Sequence, residues 1–136
     1  MLFRSLAARG ADGSTATWPL AENVHRDGIL FSTTMPSTSV SDDISARARA
    51  AAATITSEMG YVGVLCIEFF VLTDGTLVAN EMAPRPHNSG HHTIDACDVS
   101  QFELQVRTMT GLPLVEPVLH SPCLMLNLLE IGRAHV

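Results

Sequence analysis

Two glutamates, Glu68 and Glu81, stand on either side of an Asp-Gly dipeptide in a stretch that is otherwise mostly apolar. Asp-Gly between two hydrophobic runs predicts a β-hairpin with a two-residue turn. If Asp74 and Gly75 are the turn residues, the register of the strands makes the two glutamates direct neighbours. The opposed pairs in this register are Leu72 with Leu77, Phe70 with Ala79, and Glu68 with Glu81.

Two opposed carboxylates repel each other, and the residues predicted beside Glu68 and Glu81 are apolar, which limits escape to solvent. A desolvated pair must share a proton or hold a cation. Hard carboxylate oxygens suit Mg²⁺, which usually binds one or two protein carboxylates together with substrate phosphates. The alternative is an exposed edge hairpin whose glutamates are solvated or paired with Arg. A one-residue change of register separates the pair.

The segment after the second predicted strand is polar and restrained. Pro84 and Pro86 fix their own φ and bias the preceding residues toward extended geometry, so Arg85 and His87 project from a stiff backbone. The residues from Asn88 to Gly90 can present N–H groups in a concave turn, and the guanidinium adds a fixed charge. This combination predicts a site for a phosphate or a carboxylate.

Two other chemistries are less favoured in this segment. The three histidines His87, His91 and His92 have no carboxylate or Cys at a familiar zinc spacing. Ser89 lacks the nucleophile-elbow sequence that would indicate a Ser-His-Asp hydrolase. The sequence therefore favours anion binding over zinc chemistry or nucleophilic catalysis.

One long helix is predicted before the hairpin. Ser41 is the expected cap, and two acidic residues in the first turn suit the helix dipole. Gly60 is the expected stop. Apolar residues recur at helical spacing and form the predicted buried face. They are Ile44, Ala48, Ala51, Ile55 and Met59.

The remaining elements are mostly strands. Turn residues around Gly13 and the dipeptide Asp27-Gly28 predict short strands and a hairpin in the first third. Residues 93–112 are predicted as a second helix that ends at Gly111, with Phe102, Val106 and Met109 on one face. The three prolines that follow break the rest into short extended pieces.

Composition fits one globular unit. The chain has 136 residues, 46% hydrophobic and 16% charged, and its net charge of -6 argues against a nucleic-acid or anionic-membrane surface. Three cysteines without a CxxC pair indicate reduced thiols. Neither a membrane-length apolar run nor a secretory signal is evident, which predicts a cytoplasmic protein. All eight basic residues are Arg.

Three stretches carry a resemblance to a known family. They are ENVHRDGIL, GYVGVLCIEFFVLTDGTLVANEMAPRPHNSGHHTIDACDVSQFELQVRTMTGLPL and MLNLL. From about Arg9 to Leu129 the chain is similar to the carboxyaminoimidazole ribonucleotide synthases, which are ATP-grasp enzymes of purine biosynthesis. NEMAPRPHNSGHHT is the most specific part. Its Asn-Ser-Gly-His-His favours these synthases over formate-dependent glycinamide ribonucleotide transformylases, which have a similar Glu followed by Pro-Arg-Pro-His.

The resemblance implies that ATP and bicarbonate form carboxyphosphate, which carboxylates aminoimidazole ribonucleotide and leaves ADP and phosphate. It implies that Glu68 and Glu81 bind Mg²⁺ or Mn²⁺. Asn80 is a weaker candidate for the nucleotide site, because strand alternation puts it on the opposite face. The implied catalytic and substrate-binding positions are Arg85 and His87, joined by a phosphate-contacting loop of Asn88, Ser89, Gly90 and His91.

Several features depart from the family. The lysines that hold the ATP phosphates lie on strands N-terminal to this region, and this chain has no Lys. The acidic residue that usually precedes the first strand is missing from residues 1–6, so Met1 is expected to be an internal or misread start. We expect residues 1–113 to be the C-terminal part of an ATP-grasp domain and residues 114–129 the start of a truncated small β domain. Residues 130–136 are expected to be a non-native tail.

The combined prediction is an α+β fold, a partial ATP-grasp domain in which an antiparallel sheet provides the metal face and two helices pack behind it. The expected ligands are ATP, bicarbonate and aminoimidazole ribonucleotide, with no nucleic acid or membrane. The isolated chain is expected to be catalytically incomplete, and a homodimeric parent enzyme is left open. Three alternatives remain: a sister ATP-grasp transformylase or ligase, a metal- or anion-binding module without turnover, and a hairpin whose glutamates only pack.

Overall fold

The computed structural model describes residues 2–128, and the predicted tail at 130–136 lies outside them. Within the described residues there are seven strands and three α-helices, which confirms the α+β prediction. A 3₁₀ turn, Asn88–Gly90, lies between the sixth strand and the second helix. The elements are β1 (Leu2–Arg9), β2 (Thr15–Thr17), β3 (Ala21–Arg26), β4 (Ile29–Met35), α1 (Asp42–Glu58), β5 (Gly63–Val71), β6 (Leu77–Ala83), α2 (Thr93–Ala96), α3 (Gln101–Thr110) and β7 (Cys123–Leu126).

These strands form one antiparallel sheet with the order β6, β5, β1, β3, β4, β7, and β2 also pairs with β1. β1 is central, because it lies between β5 and β3. It pairs with β5 along its whole length, from Leu2 opposite Phe70 to Arg9 opposite Gly63. β1 lies outside the short strands and hairpin that the turn residues of the first third predict. The predicted turn at Asp27-Gly28 is confirmed between β3 and β4, where both residues have positive φ.

Alternation along β1 and β5 divides the core into two clusters, one on each face of the sheet. The first cluster packs α1 against the sheet through Ala48 and Ala52. Its sheet residues are Phe3, Ala7, Leu20, Leu65, Ile67, Phe69 and Val71.

The second cluster lies on the opposite face and includes Leu104 of α3 and Trp18. Trp18 is fully buried, and its indole N–H donates to the carbonyl of Val99 at 3.3 Å. Arg4 and Glu68 lie on the sheet face of this cluster, because each is two residues along its strand from a cluster member, Leu6 or Cys66. The expectation that both helices pack behind the metal face is therefore wrong. α1 lies behind it, whereas α3 lies on the same face as Glu68.

α1 begins and ends where the sequence predicts. The Ser41 hydroxyl accepts from the backbone N–H of Ile44 at 3.3 Å, and Met59 caps the C-terminal end just before Gly60. The buried face differs in part from the prediction. Ala48 is buried as expected, but Met59 is exposed, and the fully buried positions are Ala48, Ala52 and Thr56.

The second predicted helix is divided into α2 and α3. Ser100 caps α3 by accepting from the backbone N–H of Glu103 at 3.1 Å, and Gly111 ends it with a φ of 70°. The predicted apolar face of this helix is on its exposed side. The buried residues of α3 are Gln101, Leu104 and Thr108, whereas Phe102, Val106 and Met109 are exposed.

After α3 the chain has no helix or strand until β7, which pairs with β4 at the edge of the same sheet. Cys97 forms an isolated bridge with Leu119 along this path. Cys66, Cys97 and Cys123 are free thiols. None of the helices between residues 2 and 128 has the length and hydropathy that crossing a membrane requires.

Candidate active site

The hairpin of β5 and β6 is connected by three residues rather than two. Leu72 donates its N–H to the carbonyl of Thr76 at 2.9 Å and accepts from Gly75 at 3.0 Å. Gly75 has a φ of 80°, as expected for the left-handed position of a three-residue hairpin loop. The register next to the loop therefore differs by one residue from the prediction. Val71 lies opposite Leu77, Phe70 opposite Val78 and Phe69 opposite Ala79.

A β-bulge restores the predicted pairing further along the hairpin. The register shifts again between Glu68 and Phe69, so Glu68 lies opposite Glu81 as predicted. Asn80 is the extra residue on β6, and its amide donates to Oε1 of Glu68 at 2.7 Å. The assignment of Asn80 to the opposite face is therefore wrong, because bulged residues depart from regular alternation.

Glu68 is the better buried of the two glutamates and has two partners. It lies directly opposite Arg4 in the pairing of β1 with β5. The Arg4 guanidinium donates to Oε2 through Nε at 3.0 Å and through Nη2. Burial of Glu68 works against its ionisation, but the hydrogen bonds from Arg4 and Asn80 outweigh it and lower the pKa of the carboxyl. Glu68 is therefore an ionised carboxylate in an ion pair.

Glu81 has a different environment. Its side chain is exposed, as are those of its β6 neighbours Asn80 and Met82. The expectation that both glutamates are enclosed by apolar residues is wrong for Glu81, because β6 is an edge strand. Solvent screens its charge, so repulsion between the two carboxylates is weaker than two buried groups would produce. Glu81 still faces the narrow cleft that Arg4, Glu68 and His87 also line.

His87 joins this cleft from the loop that follows β6. Arg4 Nη1 lies 3.3 Å from Nδ1 and 3.4 Å from Nε2 of the imidazole. The backbone N–H of Ser89 donates to Nδ1 at 3.2 Å, so the proton of the neutral ring belongs on Nε2. Burial, with the charges of Arg4 and Arg85, lowers the pKa of His87 to about 4. The imidazole is therefore neutral near pH 7.

The backbone of His87 is fixed by Gln101, a fully buried residue at the start of α3. Oε1 of Gln101 accepts from the His87 N–H at 2.9 Å, and Nε2 donates to the His87 carbonyl at 2.8 Å. Gln101 also lies against Gly90, where an added Cβ would meet its Oε1 at 2.5 Å. Close packing of α3 against the loop therefore sets the position of the imidazole.

The other predicted loop residues lie in three environments. Ser89 and Gly90 are buried, and Ser89 Oγ lies 2.9 Å from His87 Nδ1. Arg85 is exposed, and its Nη1 donates to the carbonyl of Pro86 at 3.0 Å. Asn88 and His91 face a second cleft of about 620 Å³ between the loop and β7. Asn88 donates there to Asn127 at 3.0 Å.

Sequence reasoning missed Arg4 and Gln101. Arg4 stands in an apolar run at the start of the sequence, and nothing local indicates that it lies opposite Glu68. Gln101 follows a serine that caps a helix, which is an ordinary surface pattern, and only the packing of α3 on the loop buries it. The one available signal was the isolated charge in the run LFRSLAA, since a lone Arg in a central strand must find a buried partner.

The donor set suits a hard divalent cation by its chemistry, because Glu68 and Glu81 supply opposed carboxylate oxygens on adjacent strands. Between residues 2 and 128 no group of three or more His, Cys, Asp or Glu side chains is arranged to hold a metal. Any ion here would therefore take its remaining ligands from water or substrate, as Mg²⁺ usually does. One oxygen of Glu68 is engaged by Arg4.

Comparisons with known proteins agree with this architecture. A model of the ATP-grasp domain family matches residues 3–102. The N5-carboxyaminoimidazole ribonucleotide synthase of Brucella melitensis is 52% identical over 124 residues, and that of Escherichia coli K12 is 46% identical over 125 residues. Both alignments cover 91% of this chain and 34% of the relative. The chain therefore spans about a third of the length of these curated relatives.

Solved structures lead to the same conclusion. A crystal structure of an N5-carboxyaminoimidazole ribonucleotide synthetase with ADP superposes with a TM-score of 0.90 at 40% identity, covering 93% of this chain and 33% of that one. The Aspergillus clavatus synthase, in complex with ADP and 5-aminoimidazole ribonucleotide, has a TM-score of 0.82 at 31% identity. That alignment covers 93% of this chain and 34% of the Aspergillus chain. The resemblance inferred from the sequence is thereby confirmed.

Proposed function

Because this chain belongs to the ATP-grasp family, we propose that it is a segment of a carboxyaminoimidazole ribonucleotide synthase. Such an enzyme uses ATP to join bicarbonate to aminoimidazole ribonucleotide in cytoplasmic purine biosynthesis. The observation that carries the proposal is the convergence of the hairpin and the loop on Arg4, which contacts both Glu68 and His87. A carboxylate platform and an anion-binding loop thus meet in one cleft.

The proposed reaction has two steps. An oxygen of bicarbonate attacks the γ-phosphorus of ATP, the bond between the β- and γ-phosphates breaks, and ADP leaves with formation of carboxyphosphate. The amine of aminoimidazole ribonucleotide then attacks the carboxyl carbon and loses a proton, and phosphate leaves as the bond between that carbon and the bridging oxygen breaks. Both steps involve crowded negative charge, so catalysis depends on fixed cationic and N–H groups more than on covalent chemistry.

Arg85 and His87 are assigned to the anionic reactants. Neutral His87 carries its proton on Nε2, where it can donate to an oxygen of bicarbonate or carboxyphosphate. The exposed guanidinium of Arg85 adds a full charge beside it, and a planar guanidinium suits bidentate binding of a carboxylate or phosphate. Gln101 and Ser89 position the imidazole.

Glu68 and Glu81 are assigned to Mg²⁺ or Mn²⁺, with Asn80 holding Glu68 in place. Glu68 and Glu81 would hold the ion, whose positive charge would offset the negative charge that develops during phosphoryl transfer. The residues themselves supply oxygens in a fixed register, which the bulge at Asn80 sets. Asn88 and His91 are assigned to aminoimidazole ribonucleotide, since they line the cleft large enough for a small molecule.

The proposal is tested in the full-length protein encoded by the source gene. We expect ADP release that requires both aminoimidazole ribonucleotide and bicarbonate, and we expect Glu81→Gln to abolish it. Glu116→Gln is the matched control, because Glu116 is an exposed carboxylate elsewhere that pairs with Arg49. ADP release with glycinamide ribonucleotide and formate instead would assign the chain to the sister transformylases. Normal turnover of Glu81→Gln would refute the metal assignment.

A further inference from the structure

Arg4 and Glu68 form an enclosed pair whose hydrogen-bonding groups are almost fully used. Their side chains are 11% and 9% exposed. Arg4 directs Nε and Nη2 to Oε2 of Glu68 and Nη1 to the ring of His87. All three guanidinium nitrogens therefore have a partner within the cleft.

Glu68 has no free oxygen in this arrangement. Arg4 holds Oε2, and the Asn80 amide holds Oε1. The space left between Arg4, Glu68, Glu81 and His87 is about 10 Å³, which is close to the volume that a single water requires. Inside that space there is no room for a divalent cation with several waters, and contact with Oε2 of Glu68 requires the guanidinium to move.

Charge leads to the same conclusion as volume. A guanidinium and a divalent cation on one carboxylate would repel each other in a partly enclosed cleft, where screening is weak. Without either cation, the buried carboxylate of Glu68 would lack a counter-charge. Glu68 therefore pairs with one cation at a time, either the guanidinium of Arg4 or a metal ion.

We propose that Arg4 is the resident cation of Glu68, and that a divalent metal binds only by exchange with it. The inference rests on the proposed assignment of Glu68 and Glu81 to a metal ion, and it adds that Arg4 competes with this ion for Glu68. Arg4 withdraws from Oε2 when the metal arrives, and its guanidinium remains beside His87 at the anion-binding end of the cleft. The exchange lowers the apparent affinity for the metal, because part of the binding free energy is used to break the ion pair.

The test is Mn²⁺ binding by the 136-residue chain, followed by electron paramagnetic resonance. Arg4→Gln removes the charge but keeps an N–H donor for Glu68, and it should lower the dissociation constant for Mn²⁺ about tenfold or more, since loss of one charge-assisted hydrogen bond has that magnitude. Arg4→Lys keeps the charge and should bind Mn²⁺ much more weakly than Arg4→Gln does. Arg49→Gln, which breaks the ion pair with Glu116, should match the wild type.

The outcomes separate this inference from the proposed function. Tighter binding in Arg4→Gln that is lost in the double variant with Glu81→Gln supports both. Equal affinity in the wild type and Arg4→Gln overturns the exchange and leaves the metal assignment intact. No Mn²⁺ binding by either protein overturns the metal assignment and the exchange together.

A second measurement does not depend on how well a variant folds. In the wild type, the Nε–H proton of Arg4 donates to a carboxylate and should give a low-field signal in a ¹⁵N-arginine spectrum. Mg²⁺ should shift this signal as it binds, while the signals of Arg47 and Arg107, which pair with carboxylates on helices, stay in place. An Arg4 signal that does not move at saturating Mg²⁺ would contradict the exchange.

Discussion

At the scale of single residues, the imidazole of His87 shows how the fold selects a protonation state. Its Nδ1 accepts from the Ser89 N–H, and the guanidinium of Arg4 lies against the ring. Burial and the two nearby arginine charges lower its pKa to about 4, from an ordinary value of 6.5. The neutral ring is therefore a property of the loop and the adjacent strand together.

Stability should fall as the pH is lowered from 7 to 5. In this window the unfolded state takes up a proton on His87 and the folded state does not, so the free energy of unfolding decreases by about 1 to 2 kcal/mol. Urea unfolding of the 136-residue chain at both pH values measures the difference.

His87→Gln should remove that part of the pH dependence, and His120→Gln, at an exposed site, should retain it. His25 and His92 also have lowered pKa values because of burial, so a smaller dependence of the same sign should remain in His87→Gln. An unchanged dependence in His87→Gln would show that the ring titrates normally in the folded chain.

Gln101→Leu should destabilise the chain by about 1 to 3 kcal/mol, because it leaves the N–H of His87 without a partner and removes one of the two donors to its carbonyl, the other being the Gly90 N–H. Glu103→Gln, two residues further along α3, loses only an exposed ion pair with Arg107 and should change the stability by less than about 0.5 kcal/mol. Thermal and urea unfolding check both variants. Equal stability of the two would mean that the Gln101 amide does not hold the loop.

The candidate site was predictable from sequence only where its chemistry is local. Glu68, Glu81 and His87 lie within 20 residues of one another, so a hairpin and a restrained loop were enough to indicate their proximity. Arg4 is 64 positions from Glu68, and its partner depends on strand pairing that no local pattern specifies. The same holds for Gln101, whose burial follows from the packing of α3.

At the scale of elements, the β5–β6 hairpin combines two irregularities that cancel. The three-residue loop shifts the register by one, and the bulge at Asn80 shifts it back at Glu68. The sequence-based prediction of opposed glutamates was therefore correct, although the loop it assumed was wrong. Turn chemistry identified the hairpin, but loop length and bulges depend on which side chains the sheet buries, and those are settled by tertiary packing.

Gly75→Ala should destabilise the hairpin by about 1 to 2 kcal/mol, because position 75 requires a left-handed backbone. Nothing lies within 4 Å of where its Cβ would be, so the cost comes from the backbone alone. Gly75→Asn is the matched control and should lose less, since Asn tolerates this conformation. Chemical denaturation of the three proteins tests this. If Gly75→Ala and Gly75→Asn lower the free energy of unfolding equally, the cause is a contact of the new side chain and not backbone strain.

At the scale of the whole molecule, the sheet is covered unevenly. α1 and α3 enclose β1 and β5 on both faces, whereas the exposed side of α3 is apolar. This stripe consists of Phe102, Val106 and Met109, and Met109 is 72% exposed. The periodicity of α3 was visible in the sequence, but which side is buried was not, because the inner side is marked by Gln101 and Thr108 as well as Leu104.

The exposed stripe should make the isolated chain associate with itself at high concentration. Val106→Glu combined with Met109→Gln should reduce this association without changing the stability by more than about 0.5 kcal/mol, since both side chains are already exposed. Analytical ultracentrifugation over a range of concentrations measures the effect. Val24→Thr, at a single exposed apolar residue of β3, should associate as the wild type does. Association that persists in the double variant would place the contact elsewhere.

Trp18, the single tryptophan of the chain, is an internal optical probe. Its fully buried indole donates to the carbonyl next to the cap of α3, so its emission should be blue in the folded chain and red-shifted when α3 leaves the sheet. The indole bonds to the Val99 carbonyl, whereas the carboxylate of Glu68 bonds to Arg4 and Asn80. Fluorescence can therefore distinguish loss of the fold from local exchange of cations in one sample, with no label added.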